Sequence, residues 1–304
     1  MDRRIKFRHL QAFVEIVRRR SLKRAAERLF LTQPAISRTL AELEDIVGVP
    51  LLLRGRGGVA LTPQGEFFLG FAQASLAALE QGLAGISDFG REAGAQLRLG
   101  ALPSVAARLL PDVVDEIAAL APDMRVTIVD GSHLHLTRLL NGGELDVVIG
   151  RLGEPDTMRG LSFTQLYLEE VAIVVRPGHP ILADPDLRRI GDWPVIYPPS
   201  SAAIRPFVKS LLVAEGLPLP RRRIETVSSE FGRARTRDSD AIWFISAGVV
   251  AREISEGRLV RLPVNTDLTR GPVGLMVRAN ERETLERRVL AQAVERAVRQ
   301  LELG

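Results

Sequence analysis

The tightest constraint on this chain lies between Ser21 and Val47, where two apolar-periodic stretches are separated by only three residues. Leu22, Ala25, Ala26 and Leu29 recur at helical spacing, and after Phe30-Leu31-Thr32 so do Ile36, Leu40, Leu43 and Val47. Ser21 is suited to cap the first of these helices. Thr32 or Gln33 is suited to cap the second, with Pro34 in its first turn where a missing N–H costs little. An earlier amphipathic helix over Phe7 to Arg19 carries Leu10, Phe13, Val14 and Val17, and Arg18, Arg19 and Arg20 close it against the negative end of its dipole. Two short helices joined by so tight a turn form a helix-turn-helix. On the second helix Pro34, Ser37, Arg38 and Ala41 fall opposite the apolar side, and Gln33 stands at the leading tip. Gln can read adenine through two hydrogen bonds, Arg can read guanine or hold phosphate, and small Ala and Ser let a helix sink into the major groove. A plain helical hairpin with a polar outer face is the competing reading.

The next segment predicts a β-hairpin: Leu51 to Arg54, then Gly55-Arg56-Gly57-Gly58, then Val59 to Thr62. Its glycines permit a tight turn and leave Arg54 and Arg56 protruding, as a wing that touches phosphates or a minor groove. The glycine cluster lacks the Lys-Ser/Thr ending of a phosphate-binding loop, which argues against a nucleotide. Charge follows the same division. Residues 1–65 hold 13 Lys/Arg against 6 Asp/Glu, whereas the remainder holds 28 against 31. A basic module joined to a mildly acidic one assigns any polyanion to the first, a merely solvated basic surface being the alternative.

The order FRHLQAFVEIV, then SLKRAAERLFLTQPAISRTLAELEDIVGVPLLLR, then LTPQGE resembles the DNA-binding domain of the LysR-type transcriptional regulators over about the first 90 residues. That resemblance implies a winged helix-turn-helix, a long dimerising linker helix and a two-lobed effector domain, assembled as a tetramer, a dimer of dimers. It implies double-stranded operator DNA as partner, with RNA polymerase as a further one. By motif position, Gln33, Pro34, Ser37 and Arg38 match the family's recognition helix, and Arg54 and Arg56 its wing. Leu52 departs from the family, which often has Phe there; the change concerns packing.

Between Phe67 and Ser87 only Glu80 is charged, while Leu69, Ala72, Leu76, Leu79, Leu83 and Ile86 recur at spacings of three and four. Such a seam is buried either against its own domain or, as operator half-sites require, against a second protomer. Gly90 to Gly94 reads as a hinge. From Gln96 strands and helices alternate: QLRLGAL, a helix after Pro103, VTIVD, a helix ending at Asn141 and Gly142, then DVVIG. VAIVVRP, PVIYP, IETVSS, AIWFIS and GLMVRA add strands, and a last helix over Leu285 to Leu301 carries Val289, Ala293 and Ala297 to cap the first lobe. The pattern argues a parallel α/β sheet and resembles the twin lobes of periplasmic binding proteins. The fold class is therefore α/β behind a winged helix-turn-helix and a long linker helix. The expected division is 1–65 for the head, 66–94 for the linker and 95–304 for the effector domain, with lobe I at 95–165 and 267–304 and lobe II at 166–266.

Ligands of open α/β sheets bind beyond the carboxyl ends of strands. Three such points carry serines. Ser104 with Val105 follows the first strand, Ser132 follows the second, and Ser200 with Ser201 opens a helix in the other lobe. Each is either a helix cap or part of a carboxylate-binding cleft. Arg205, Phe231 and Trp243 are weaker candidates for charge pairing and shape. The resemblance points to Ser104 and the opposite helix start as the effector site. His133 and His135 lie two apart with only Asp130 nearby, so a capping or surface role outweighs a metal.

The chain has no cysteine, which removes disulfides, thiolate metal sites and cysteine nucleophiles. It contains no G-x-S-x-G, H-E-x-x-H or S-x-x-K arrangement, no apolar run of membrane-spanning length and no signal-peptide pattern. A cytoplasmic non-enzyme with no cofactor and no membrane partner is expected. Within the family, GALPSVAARLLP and GSHLHLTRLLNGGELDVVIGRL are most similar to regulators of protocatechuate catabolism, activators of the pca operon type, which implies a small carboxylate effector such as 3-carboxymuconate or protocatechuate. A regulator of sugar-binding-protein genes, or a solute-binding protein without a DNA role, is the alternative.

Overall fold

The computed structural model describes residues 4–55, 58–87, 95–279, 281 and 283–303, in two compact units. The first unit holds helices α1 (Phe7–Arg19), α2 (Leu22–Arg28) and α3 (Gln33–Val47), a hairpin of strands β1 (Leu52–Gly55) and β2 (Gly58–Leu61), and the long helix α4 (Pro63–Ser87). Ser21 Oγ accepts from the Arg24 amide and Thr32 Oγ1 from the Ala35 amide, both at 3.4 Å, so Thr32 is the cap of α3. Phe13, Ile16, Ala25, Ala26, Ile36, Leu40 and Leu43 bury the faces where α1, α2 and α3 meet. The Phe13 and Phe68 rings, 5.6 Å apart, join α1 to α4.

Two polar devices pin the hairpin to this core. The Glu44 carboxylate on α3 accepts the amides of Leu51 at 2.7 Å and Leu52 at 3.1 Å. Thr62 Oγ1 donates to the Pro50 carbonyl at 2.9 Å and accepts from the Gly65 amide at 2.9 Å, which explains the Thr-x-x-Gly of the LTPQGE run. A Cβ on Gly65 would stand 2.0 Å from the Leu51 carbonyl oxygen, so the glycine is there for close approach. Gly65→Ala is expected to cost the head about 3 kcal/mol, because backbone must move; chemical denaturation followed by head-specific hydrogen exchange measures it, and an unchanged protection pattern would refute the account of this contact.

The second unit has two sheets. The chain enters the first through β3 (Gln96–Ala101), α5 (Pro103–Arg108), α6 (Leu110–Leu120), β4 (Arg125–Asp130), α7 (His133–Asn141), β5 (Val147–Arg151) and β6 (Leu161–Glu169). It then builds the second through β7 (Val171–Val175), β8 (Val195–Tyr197), α8 (Arg205–Ala214), β9 (Arg223–Glu225), α9 (Ser229–Arg237), β10 (Ile242–Ser246), α10 (Ala247–Ser255) and β11 (Val260–Arg261). It returns through β12 (Gly271–Arg278) and closes with α11 (Leu285–Gln300). The sheet orders are β4-β3-β5-β12-β6 and β11-β7-β10-β8-β9, so two crossovers, after Glu169 and before Gly271, link lobe I to lobe II. Buried Leu290, Ala293, Val294 and Ala297 hold α11 over lobe I.

The sheets are mixed rather than parallel. β3 pairs in parallel with β4 and β5, but β12 runs antiparallel to both β5 and β6 because it re-enters from the other lobe. β6 was not anticipated from the sequence. A register shift in its pairing with β12, where Val273 faces Tyr167 and Gly274 faces Gln165, leaves Leu166 as an extra residue and breaks the apolar alternation. The IETVSS run is strand only as far as Glu225, and Ser228 Oγ caps α9 by accepting the Phe231 amide at 3.2 Å. The helix expected to open at Ser200 and Ser201 begins at Arg205 instead. Pro206 falls within its first turn, and residues 199–205 are turns closed by Ala202 N to Pro199 O and Arg205 N to Ala202 O.

Candidate nucleic-acid interface and effector cavity

In the head, burial of Ile36, Leu40 and Leu43 turns the opposite side of α3 outward. Gln33, Pro34, Arg38 and Ala41 are exposed and Ser37 is half-buried. Glu42, lower on the same helix, receives Arg8 at 3.0 Å and the buried His9 Nε2 at 3.2 Å, which fixes α3 against α1. The Arg8 hydrogen bond first, then His9, hold the Glu42 carboxyl below its ordinary range. In the hairpin Arg54 pairs with Val59 across the ladder, and the Val59 amide donates to the Arg20 carbonyl at 3.4 Å, which ties β2 to the end of α1. Gly58 takes φ +107°, and a Cβ there would approach that carbonyl to 3.0 Å. Arg56 lies outside the described residues.

Along α4 the apolar seam divides. Ala72 is buried in the core of the head, and Leu69 and Leu76 are half-buried. Leu79 and Leu83, one turn apart on the side of the seam, are 45 and 57% exposed among the described residues, and Phe67 and Phe71, towards the opposite side of the helix, are 71 and 60% exposed. Gly90 to Gly94, the expected hinge, lies outside the described residues.

The second unit has a cavity where the carboxyl ends of its strands face one another across the lobes. Lobe I contributes Leu102, Pro103 and Ser104 after β3, Gly131, Ser132 and His133 after β4, and Arg151 at the end of β5. Lobe II contributes Pro198 and Ala202 to Ile204 after β8, Thr226 and Val227 after β9, Phe244 to Ser246 on β10, and Val249 on α10. It is mostly apolar with a few polar groups directed inward, as a ligand site requires. The cavity measures about 60 Å3 and is partly open.

The structure brings Ser104 and Ser132 to this one cavity. Ser104 does not cap α5, since Leu102 holds the cap position, whereas Ser132 Oγ accepts the His135 amide at 3.4 Å and serves α7 as a cap. Ser200 and Ser201 line an adjoining hollow with Leu134, Leu152 and Phe207, which shares only His133, Ala202 and Ala203 with the cavity. Val105 packs its side chain into the lobe I core, which leaves only its backbone for any ligand. Arg205 is engaged with Glu225 at 2.9 Å and lies over the Tyr197 ring, Trp243 is buried in lobe II, and Phe231 stays exposed outside the cavity. Among the described residues no group of His, Asp and Glu could hold a metal.

Two cavity residues were not among the expected effector residues: Arg151, which the sequence did not single out, and His133, which was expected to cap a helix or lie at the surface. His133 is buried, and its Nε2 lies 3.0 Å from Thr157 Oγ1, which itself donates to the Glu154 carbonyl at 2.8 Å. The hydroxyl's only proton is therefore used, and His133 must donate from Nε2. Burial lowers its pKa, which keeps the ring neutral. Arg151, 1% exposed, donates from its two terminal nitrogens to the carbonyls of Thr269 at 2.9 Å and Glu169 at 2.8 Å, one on each crossover, and lies over the Phe207 ring of lobe II at 4.8 Å. Its carboxylate neighbour, Glu169, stands 3.8 Å away. A charged residue ending the otherwise apolar DVVIG strand was the available signal, because strand ends are where ligands and hinges gather.

A helix-turn-helix head with a hairpin wing, followed by two lobes around a cavity, defines a ligand-responsive DNA-binding regulator. Residues 7–66 match the family described as bacterial regulatory helix-turn-helix protein, lysR family, and residues 90–299 match the LysR substrate binding domain. The chain belongs to the LysR family of bacterial transcriptional regulators. It is 45% identical to the HTH-type transcriptional regulator PcaQ of Agrobacterium fabrum, over 99% of this chain and 97% of that one. It is 36% identical to the uncharacterized HTH-type transcriptional regulator YdcI of Escherichia coli, over 92% and 91%. Among solved structures, full-length LysG from Corynebacterium glutamicum with bound effector Arg has the same fold at TM-score 0.64 and 19% identity, covering 97% of this chain and 99% of that one. No helix among the described residues is long and apolar enough to cross a membrane.

Proposed function

We propose that this regulator binds a small carboxylate effector in the cavity between its lobes and controls genes of aromatic acid catabolism, with protocatechuate or a ring-cleavage product such as 3-carboxymuconate as the effector. The 45% identity with PcaQ along nearly the whole chain supports this reading most, since it extends through the effector domain as well as the head. The cavity is compatible: an apolar wall from Ile204, Val227, Phe244 and Val249 suits a ring or its cleavage product, and Ser104, Ser132 and the Arg151 charge suit a carboxylate. Ser200, Ser201 and the Val105 amide would engage only on rearrangement. A thermal-shift screen over aromatic acids and sugars tests the assignment. A saturating acid should raise the melting temperature by several degrees, in line with about 2–4 kcal/mol of linkage; stabilisation by sugars alone would move the protein to a sugar-responsive role.

On DNA, Gln33 and Arg38 read bases while Arg54 and Arg56 hold phosphates, Pro34 and Ser37 letting α3 approach the groove. Gln33→Ala or Arg38→Ala should lower discrimination between operator and random duplex by roughly 1–3 kcal/mol. Replacing Arg54 and Arg56 together should weaken every sequence alike and reduce the salt slope by about two charges. Fluorescence anisotropy at several salt concentrations separates the two patterns, and full discrimination by Gln33→Ala would overturn the orientation of α3. The protein acts as a homo-oligomer, a dimer of dimers joined in part through α4.

A further inference from the structure

The described structure already places a carboxylate where the two lobes meet, and that carboxylate belongs to the chain. Glu169 ends β6 at the first crossover and is 5% exposed. Its Oε1 accepts the Gly248 amide of lobe II, in the first turn of α10, at 3.1 Å. From lobe I the Ser104 hydroxyl and the Arg151 guanidinium stabilise its charge, and Arg108 of α5 adds to them. Its Oε2 has no hydrogen-bond partner among the described residues, although Arg151 stands 3.8 Å from it. Gly248 is a glycine because α5 and α10 come so near: a Cβ there would lie 2.6 Å from Glu169 Oε1 and 3.0 Å from the Ser104 carbonyl.

We propose that Glu169 is a tethered anion that latches the lobes together, occupying the position between Ser104, the Gly248 amide and Arg151 that a free carboxylate can take in its absence. The donors come from both lobes, so only a closed arrangement satisfies the carboxylate. The groups facing Glu169 are Arg151 of β5, Tyr167 of its own strand, Ser104 and Arg108 of α5, and the α10 amide. Burial raises the Glu169 carboxyl above its ordinary range despite the arginines. A carboxylate effector entering beside Ser104 and Arg151 meets this charge and competes with it. That consequence rests on the carboxylate reading proposed above, whereas the latch itself does not.

The full-length Glu169→Ala protein tests the latch with formate as the probe. Its melting temperature should rise saturably in sodium formate relative to sodium chloride at equal ionic strength, by roughly 3–5 °C, and the wild type should melt identically in the two salts. Adding Ser104→Ala should diminish the formate response. Glu169→Gln keeps the shape and the acceptor for Gly248 without the charge, so it should fold and ignore formate. A Glu169→Ala protein that melts identically in both salts, or is unfolded in both, overturns the latch, as does a formate response of equal size in Glu169→Gln. Separately, Glu169→Gln should bind protocatechuate roughly tenfold more tightly than wild type, through loss of a like charge. If formate rescues Glu169→Ala but protocatechuate binds to neither protein, the latch stands and the effector reading falls.

Discussion

Leu79→Glu is expected to leave the chain monomeric and to abolish stable operator binding while the effector domain stays folded. Leu79 lies on an apolar stripe of α4 with Leu83 one turn on, and both are exposed among the described residues. A stripe that apolar is unfavourable in water, and a two-fold pairing of α4 helices buries it in duplicate. A carboxylate introduced on each side of that axis would be desolvated without a partner, at several kcal/mol per copy. Loss of the pair also separates the two heads, and two linked sites bind 10²- to 10⁴-fold more tightly than either alone, to order of magnitude. Light scattering and anisotropy on the same preparation check both effects. An undiminished oligomer would show that the stripe does not lie between protomers.

Arg151→Met is expected to have the largest effect on the effector domain. The substitution removes hydrogen bonds to both crossovers, to Thr269 O and Glu169 O, and leaves the Glu169 carboxylate buried with its nearest positive charge gone. Breaking a buried pair from one side costs about 3–5 kcal/mol, which for a domain of this size lowers the melting temperature by on the order of 10 °C. The pH dependence has a defined sign. The folded pKa of Glu169 is raised, and without Arg151, which lowers it, it rises further. Stability linked to a raised carboxyl is present at low pH and is lost as pH climbs through the folded value. The deficit of Arg151→Met should therefore be largest at neutral pH and shrink on acidification below it. A deficit that is constant from pH 5 to 8 would mean that Glu169 does not depend on Arg151.

Local signals made the head legible. Ser21 and Thr32 declared helix starts, Ile36, Leu40 and Leu43 declared an inner face, and the glycines after Arg54 declared a hairpin, all within short sequence distances where propensity and burial agree. Most strands of the effector domain were legible for the same reason, as runs of Val and Ile long enough for one crossing. What escaped was long-range. The bulge in β6 hides its alternation, and the antiparallel return of β12 depends on residues more than 100 positions away. The cavity showed the same limit. Ser104 and Ser132 were found because each follows its own strand, but the roles of Arg151 and Glu169 exist only where two crossovers meet, which no local window contains. Ser200 and Ser201 misled because a Pro-Pro-Ser-Ser run resembles a helix start, while Pro206 sets the true one five residues on from Ser200, at Arg205.

Selection from a library of random duplexes with the full-length protein tests the central claim most directly, since it asks at once whether the head reads sequence and whether it does so in pairs. The expected result is enrichment of two related half-sites in two-fold symmetry, with centres separated by whole helical turns, and binding at least ~10³-fold tighter than to random duplex at the same salt. Retention of DNA without sequence enrichment, at an affinity set by salt alone, would contradict it.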